Sequence, residues 1–267
     1  TLQTALTQLG YKYKEIVVTD KTSQKKVFAE VGKHEVVWAS WNADAENTPV
    51  DWDELVEAVE KSNSRMCYSP GVKQESLDDG GALTESREEM DYRLGKMEER
   101  LHDAAGFHIK SSYGTDLLVE LKPGERRWFK DSGVITPGKW DNLPGGEIFT
   151  TPNEDRINGI LVLPVLSDEV TRNQGVDEFV HLTIRNGKIA KIDGGKSADQ
   201  LRKYLEKASK DEDDPLSVLR CAEIAFGANS RARTVVSKSE GSYQAFTNPT
   251  VETEKRLGTM HIAFGSS

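Results

Sequence analysis

The chain has 267 residues and a formal net charge of −9, with 36% hydrophobic and 30% charged residues. No apolar run approaches the roughly 20 residues of a membrane-spanning helix, and the Lys and Arg residues are scattered, so the sequence predicts neither a membrane nor a nucleic-acid partner.

Cys67 and Cys221 lie far apart without C-x-x-C spacing, which predicts a reducing, cytoplasmic location. The chain starts at Thr1 without Met and stops at Ser267 directly after an apolar run, so we expect both ends to be cut.

The first part of the chain alternates short apolar runs with helical patterns. Strands are predicted at residues 16–18, 36–39 and 66–68. A helix is predicted from Asp51 to Lys61, with Asp51 as its N-cap, because Leu55 and Val59 fall on one helical face. Strands that alternate with helices favour a small parallel sheet. The sequence therefore predicts an α/β N-terminal domain over residues 1–83.

The second part of the chain predicts a different architecture. Residues 70–83 are rich in Gly, Asp and Ser, which predicts a loop at a domain edge, and residues 84–105 have the periodicity of an amphipathic helix. Further elements are predicted as strands at 107–110, 117–121 and 159–166, and as a helix at 198–207. A hairpin over residues 179–192 should turn at Asn186-Gly187, where both residues tolerate positive φ. We therefore expect an α+β C-terminal domain with a mixed or antiparallel sheet over residues 84–267.

Two carboxylates of this second part are candidate metal ligands. Glu147 follows a Pro-Gly-Gly turn, in which proline fixes one φ and the glycines permit unusual backbone geometry, so the turn can hold the carboxylate rigidly. Glu223 lies among small and apolar residues, where a buried carboxylate needs a cation or hydrogen-bond donors. The alternative interpretation of Glu147 is an exposed turn residue. The alternative interpretation of Glu223 is a glutamate on the solvent-exposed face of a half-buried strand.

One histidine joins these carboxylates as a candidate. His261 lies in an apolar stretch between Gly258 and Gly265, and a neutral imidazole is a strong ligand for zinc, although a satisfied core histidine is the alternative. Together the three residues supply the oxygen and nitrogen ligands of hydrolytic zinc, cobalt or manganese sites, but without a motif as tight as H-E-x-x-H. The remaining histidines are interpreted as structural or exposed: His34, His102, His108 and His181.

The same segments carry a family resemblance. The strings are Gly114-Thr-Asp-Leu117, Asn142-Leu-Pro-Gly-Gly-Glu-Ile-Phe-Thr-Thr-Pro152, Ala222-Glu-Ile-Ala-Phe-Gly-Ala-Asn229 and Glu254-Lys-Arg-Leu-Gly-Thr-Met-His-Ile-Ala-Phe-Gly265. In these strings the chain resembles the M29 metallo-aminopeptidases, the group of aminopeptidase T and aminopeptidase S. The N-terminal part is similar to that family only in its α/β pattern.

The resemblance implies a homodimeric hydrolase that removes N-terminal residues from peptides with metal-activated water. It implies two divalent ions, zinc, cobalt or manganese, held by a C-terminal catalytic domain. The implied metal ligands are Glu147, Glu223 and His261, with Glu223 also the catalytic base, and the implied substrate-binding residues are Asn142, Gly145, Gly146 and Asn229. The family pattern continues with a tyrosine and a His-x-Asp pair that the sequence does not contain, so we expect an incomplete site.

Two alternatives to the aminopeptidase stay open. Ring-cleaving 2,5-dihydroxypyridine dioxygenases are similar to the M29 peptidases in this region but use one iron ion and oxygen. Their expected ligands are a His and a His-x-Asp pair, so Glu147 and Glu223 would contact metal only in a peptidase, and the G-G-E and A-E-x-A strings favour that hydrolase. The second alternative is a non-catalytic metal-binding homologue.

Overall fold

The computed structural model describes residues 6–40, 50–69, 72–153, 155–167, 170, 178–239, 242–247 and 250–265, and of residues 234–239, 242–247 and 250 it describes the backbone alone. The helices are α1 (Lys21–Glu30), α2 (Trp52–Ser62), α3 (Gln74–Leu77), α4 (Arg87–Leu101), α5 (Lys196–Ala208) and α6 (Thr250–Thr253). The strands are β1 (Val36–Ala39), β2 (Arg65–Tyr68), β3 (Gly106–Lys110), β4 (Asp116–Glu120), β5 (Phe129–Asp131), β6 (Trp140–Asn142), β7 (Glu147–Thr150), β8 (Ile157–Leu163), β9 (Val180–Arg185), β10 (Lys188–Asp193), β11 (Cys221–Gly227), β12 (Thr234–Ser239), β13 (Ser242–Thr247) and β14 (Met260–Phe264).

Contacts between residues divide the chain into two compact units. The first unit contains residues 1–39, 45–67 and 135–140, and the second contains residues 40–44, 68–134 and 141–267. The predicted division into independent domains at residues 83 and 84 stays a prediction, since compactness does not test independent folding. Within the described ranges, every helix is too short or too polar to span a lipid bilayer.

A three-stranded sheet has the strand order β1-β2-β6, and β1, most of β2 and helix α2 belong to the first unit. The Asp51 side chain accepts a hydrogen bond from the Glu54 backbone N–H at 3.0 Å, which confirms the predicted N-cap. Leu55 and Val59 are buried together with Met66. The predicted strand at residues 16–18 is wrong: residues 11–19 form neither helix nor strand, and a three-residue apolar run is too short to specify strand pairing.

The second unit contains antiparallel sheets. One sheet has the strand order β10-β9-β8-β4-β3, another has the order β14-β11-β7-β5, and β12 pairs with β13. The predicted hairpin is confirmed, with β9 and β10 joined by Asn186 at φ 49° and Gly187 at φ 68°. The predicted fold class, with α/β elements followed by an α+β region of antiparallel sheet, is confirmed.

The five-stranded and four-stranded sheets share one apolar core. Leu117 and Leu182 of the first sheet are buried in the same cluster as Cys221 and Ile224 of β11. The register of β11 shifts between Cys221 and Glu223, so Cys221 and Ile224 both reach this core, whereas Glu223, Ala225 and Gly227 alternate with Ile224 and point to the opposite face of the four-stranded sheet. That opposite face, away from the shared core, carries the candidate site.

Helix α4 closes a second cluster, in which Met90 and Leu94 pack against Ile148 of β7. The helix begins after Ser86, whose side chain accepts a hydrogen bond from the Glu89 N–H, and the predicted span of residues 84–105 was therefore too long at both ends. The segment predicted as a loop at residues 70–83 contains α3 and the start of a 3-10 turn at Ala82–Thr84.

Candidate functional site

Three neighbouring strands of the four-stranded sheet bring the predicted residues to one face. In the pairing of β11 with β14, Glu223 lies opposite Ala263 and Ala225 lies opposite His261. In the pairing of β11 with β7, Gly227 lies opposite Glu147. Residues two apart on a strand share a face, so Glu147, Glu223 and His261 are on the same side of the sheet.

The central strand of the site face carries two small residues. Neighbouring strands are about 4.8 Å apart, so Glu147 on β7 and His261 on β14 are separated by the full width of β11. The β11 residues opposite them are Gly227 and Ala225. Neither has a long side chain that could lie between the carboxylate and the imidazole.

The imidazole of His261 lies between two carboxylates. Its Nε2 atom is 3.2 Å from Glu223 Oε1 and 3.4 Å from Glu147 Oε2. Since a carboxylate only accepts hydrogen bonds, Nε2 carries the proton in the contact with Glu223, and in the neutral ring Nδ1 is then the atom with a free lone pair. Nδ1 is buried and has no hydrogen-bond partner among the described residues.

The glycine turn before β7 fixes the position of Glu147. Gly146 has φ 124°, and a Cβ added there would come within 2.7 Å of the Asn229 Cβ. A Cβ at Gly145 would come within 2.4 Å of the Gly133 backbone nitrogen. The backbone itself is held by a hydrogen bond from Gly146 N–H to Asp131 O at 2.9 Å. The turn is therefore closely packed and rigid, as the sequence predicted.

Sequence analysis missed two charged residues next to Glu147. Lys255 is 0% exposed, and its Nζ lies 2.5 Å from Glu147 Oε1, 3.2 Å from Asp131 Oδ2 and 3.2 Å from Glu254 Oε1. Asp131, also buried, lies directly opposite Glu147 in the pairing of β5 with β7. Lys255 occurs in a run of charged residues, which in a sequence predicts exposure, and Asp131 ends a strand of three residues without a recognisable pattern.

Burial and charge act against each other on the ionisable groups of the site. Burial raises the pKa of Asp131 and of Glu147, and the nearby Lys255 ammonium offsets that rise only in part. Burial acts to lower the pKa of His261, but the hydrogen bond to Glu223 and the charge of Glu147 more than compensate, so that pKa is raised. The raised pKa favours the protonated, positively charged form of the imidazole over the neutral form.

The residues predicted to bind substrate occupy different settings. Asn229 is 1% exposed, its amide donates to the carbonyl oxygens of Ala82 and Gly145, and its side-chain oxygen accepts from the N–H groups of Arg231 and Ala232. These four bonds use the whole side chain to tie the glycine turn to β11. The Oδ1 atom of Asn142 is buried without a hydrogen-bond partner among the described residues. A substrate-binding role for this set stays a prediction.

The described residues supply part of a metal site. Within the described ranges, no group of three or more His, Cys, Asp and Glu side chains has an arrangement suited to hold a metal ion. His261 Nδ1 fits a ligand atom because it is buried and unpaired. Glu147 does not fit equally, because the Lys255 ammonium already contacts its carboxylate. The described residues alone therefore do not fit a complete metal centre.

By sequence, the chain is similar to 2,5-dihydroxypyridine 5,6-dioxygenases. The family model described as NicX, 2,5-dihydroxypyridine 5,6-dioxygenase, matches residues 57–246, a range that contains Glu147 and Glu223 and ends before His261. A 2,5-dihydroxypyridine 5,6-dioxygenase from Pseudomonas putida is 33% identical over 142 residues, which are 53% of this chain and 39% of that protein. This chain therefore spans well under two thirds of its curated relative.

Two solved structures share the fold. A 2,5-dihydroxypyridine dioxygenase from Pseudomonas putida superposes with a TM-score of 0.56 at 23% identity and covers 84% of this chain and 62% of its own. AmpT from Thermus thermophilus superposes with a TM-score of 0.57 at 18% identity and covers 98% of this chain and 71% of its own. At these identities the likeness supports the shared fold, including the fold of the M29 group, and does not distinguish the two activities.

The sequence matches correct the predicted activity. The aminopeptidase function, and with it the assignment as a hydrolase or protease, is wrong, because the family model and the curated relative both name a dioxygenase. The family implies a metal cofactor, but the predicted pair of zinc, cobalt or manganese ions has no support. The resemblance to the M29 peptidases was correct at the level of the fold alone.

Proposed function

Because this chain belongs to the 2,5-dihydroxypyridine 5,6-dioxygenase family, we propose that it is part of an oxidoreductase that opens a dihydroxypyridine ring with molecular oxygen. The observation that carries the proposal is the family match over residues 57–246, which includes two of the strands that form the site face. The family implies a metal cofactor, for which we propose iron. This chain spans only part of the length of its relatives, so the activity of the whole protein is also a proposal.

We propose that His261 and Glu223 bind the substrate ring and handle its proton. The Glu223 side chain is 32% exposed and the His261 side chain 22%, so both are accessible from the open face of the sheet. A ring hydroxyl must lose its proton as the electron-rich form of the ring develops, and a carboxylate in contact with an imidazole can accept that proton. The Nε2–H group of His261 then donates a hydrogen bond to the negatively charged ring oxygen.

The proposal assigns Glu223 a different role from the predicted metal ligand. Its contact with Nε2 orients the imidazole and fixes the tautomer of the neutral ring, in which Nδ1 is buried and carries the lone pair. A carboxylate that orients a histidine in this way acts through hydrogen bonding and leaves coordination to the ring nitrogen.

The function is tested by oxygen uptake. Purified full-length protein that includes this chain is supplied with ferrous iron and mixed with 2,5-dihydroxypyridine, and oxygen consumption is followed together with loss of the substrate's ultraviolet absorbance. We expect consumption of oxygen in proportion to substrate, and its loss by at least about 100-fold in His261→Ala. The matched control is His181→Ala, which removes an exposed imidazole on β9 and should retain wild-type turnover.

Two results would contradict the proposal. If wild-type protein loaded with iron consumed no oxygen with a dihydroxypyridine, the chain would behave as a non-catalytic homologue. If His261→Ala and His181→Ala turned over equally well, the oxygenase activity would not depend on the site face of the four-stranded sheet.

A further inference from the structure

A completely buried ammonium group lies inside the acidic cluster of Asp131, Glu147 and Glu254. Its distances of 2.5 Å to Glu147, 3.2 Å to Asp131 and 3.2 Å to Glu254 place Lys255 Nζ in contact with all three carboxylates. A divalent ion bound by carboxylates would lie about 2.0–2.2 Å from their oxygens, in the same space that the ammonium nitrogen fills. We propose that Lys255 is a built-in cation that excludes a metal ion from this cluster and so limits the number of ions the site can hold.

The carboxylates need a cation to share this space. Asp131 and Glu147 lie directly opposite each other on neighbouring strands, where like charges destabilise the sheet. Both side chains are buried, so water cannot screen their repulsion. The raised pKa values of both acids agree with this environment. A single positive charge at the centre of the cluster relieves the repulsion, and Lys255 supplies it.

The protein backbone holds Lys255 in position. The Asn229 N–H donates to the Lys255 carbonyl at 2.8 Å, which fixes the segment against the end of β11. Gly227 permits this approach, because a Cβ added there would lie 2.8 Å from the Lys255 carbonyl carbon and 2.0 Å from the Arg256 oxygen. Since the backbone is anchored so close to the cluster, the side chain has little freedom to leave it, and the ammonium is a fixed part of the site.

One oxygen of Glu147 faces the imidazole of His261. Glu147 Oε2 is buried without a hydrogen-bond partner among the described residues and lies 3.4 Å from His261 Nε2. The Lys255 ammonium therefore engages one oxygen of Glu147 and leaves the other on the side of the imidazole. Lys255 would limit the number of cations at this site whichever reaction the site performs.

Replacing the ammonium should open a cation site. Lys255→Met removes the charge at similar length, and we expect the variant to bind one more Mn²⁺ ion per chain than the wild type, measured by equilibrium dialysis and elemental analysis. Manganese is the probe because it favours carboxylate oxygens. Saturating Mn²⁺ should raise the thermal midpoint of the variant by roughly 5 °C or more beyond any rise in the wild type, because an added ion stabilises the folded state.

The matched control is Lys130→Met on strand β5, which pairs with β7. Lys130 is exposed and pairs with Glu98, so the same substitution removes a charge from the same sheet without touching the cluster. We expect Lys130→Met to bind as many ions as the wild type. The proposal is overturned if Lys255→Met binds no additional ion and shows no additional stabilisation by Mn²⁺.

A second variant tests the proposal in case Lys255→Met does not fold. Glu147→Gln keeps the shape of the side chain and removes the charge that the ammonium neutralises. If Lys255 excludes metal from the cluster, this change should leave the metal content of otherwise wild-type protein unaltered. Loss of a bound ion in Glu147→Gln would show that Glu147 is a metal ligand despite Lys255 and would overturn the inference.

Discussion

The contact between His261 and Glu223 determines what the imidazole can do. A carboxylate at 3.2 Å from Nε2 retains the proton on that nitrogen, and the opposite nitrogen is then free to bind substrate or a cation. The same contact raises the pKa of the ring against the effect of burial. Chemistry at this site therefore depends on a pair of residues on neighbouring strands.

Glu223→Gln is expected to lower the pKa of His261. The amide keeps the shape of the side chain but carries no charge, so it stabilises the imidazolium less than the carboxylate does. The measurement is an NMR pH titration of the imidazole in protein freed of metal by a chelator. Glu85→Gln, which changes an acid paired with Arg93, is the control and should leave the His261 titration unchanged. An unaltered pKa in Glu223→Gln would contradict the assigned hydrogen bond.

Some site residues could be predicted from the sequence and others could not. Glu147, Glu223 and His261 each stand out because one ionisable group lies in a turn or an apolar run. Lys255 and Asp131 do not stand out, since their burial follows from the pairing of β5 with β7 and from the packing of the chain after α6. The contact of Lys255 with Glu147 was therefore not foreseen, and the metal-ligand role of Glu147 stays a prediction.

At the scale of elements, the site depends on close contacts that only glycine permits. Gly227 ends β11 at the point where the backbone of Arg256 crosses it, and a Cβ there would come within 2.0 Å of the Arg256 oxygen. Gly227 also lies opposite Glu147 on the neighbouring strand. This one residue thus allows the Lys255 segment to approach the site face closely.

Gly227→Ala is expected to destabilise the fold, by about 1–3 kcal/mol or more, because the contact with backbone can be relieved only by moving a strand. Gly95→Ala is the matched control: Gly95 lies inside α4, a Cβ there meets nothing within 4 Å, and alanine should stabilise the helix by about 0.5–1 kcal/mol. Urea unfolding followed by circular dichroism measures both changes. Equal stabilities of the two variants would contradict the described packing.

Elements with strong local signals were predicted well. The hairpin of β9 and β10 follows from the Asn186-Gly187 dipeptide, and α2 follows from its Asp51 cap and apolar face. The run at residues 16–18 lacked such support, and its Val17 is 71% exposed in the structure. The strand order β14-β11-β7-β5 could not be predicted, because the local sequence of a short strand does not specify which distant strand it pairs with.

At the scale of the whole molecule, fold and activity have to be distinguished. The structure superposes on a dihydroxypyridine dioxygenase and on AmpT with nearly equal TM-scores, 0.56 and 0.57, so one scaffold accommodates both kinds of enzyme. Sequence identity of 33% to the curated dioxygenase and the family match contradict the predicted aminopeptidase and support the proposed dioxygenase. The predicted homodimer stays a prediction.

The most direct test of the proposed function follows the oxygen atoms. A dioxygenase transfers both atoms of one oxygen molecule to its product, whereas a hydrolase introduces oxygen from water. Iron-loaded protein is allowed to react with 2,5-dihydroxypyridine under ¹⁸O₂ in ordinary water, and the ring-opened product is analysed promptly by mass spectrometry. We predict a product that carries two heavy oxygen atoms; a product that carries none, or no ring opening at all, would contradict the assignment.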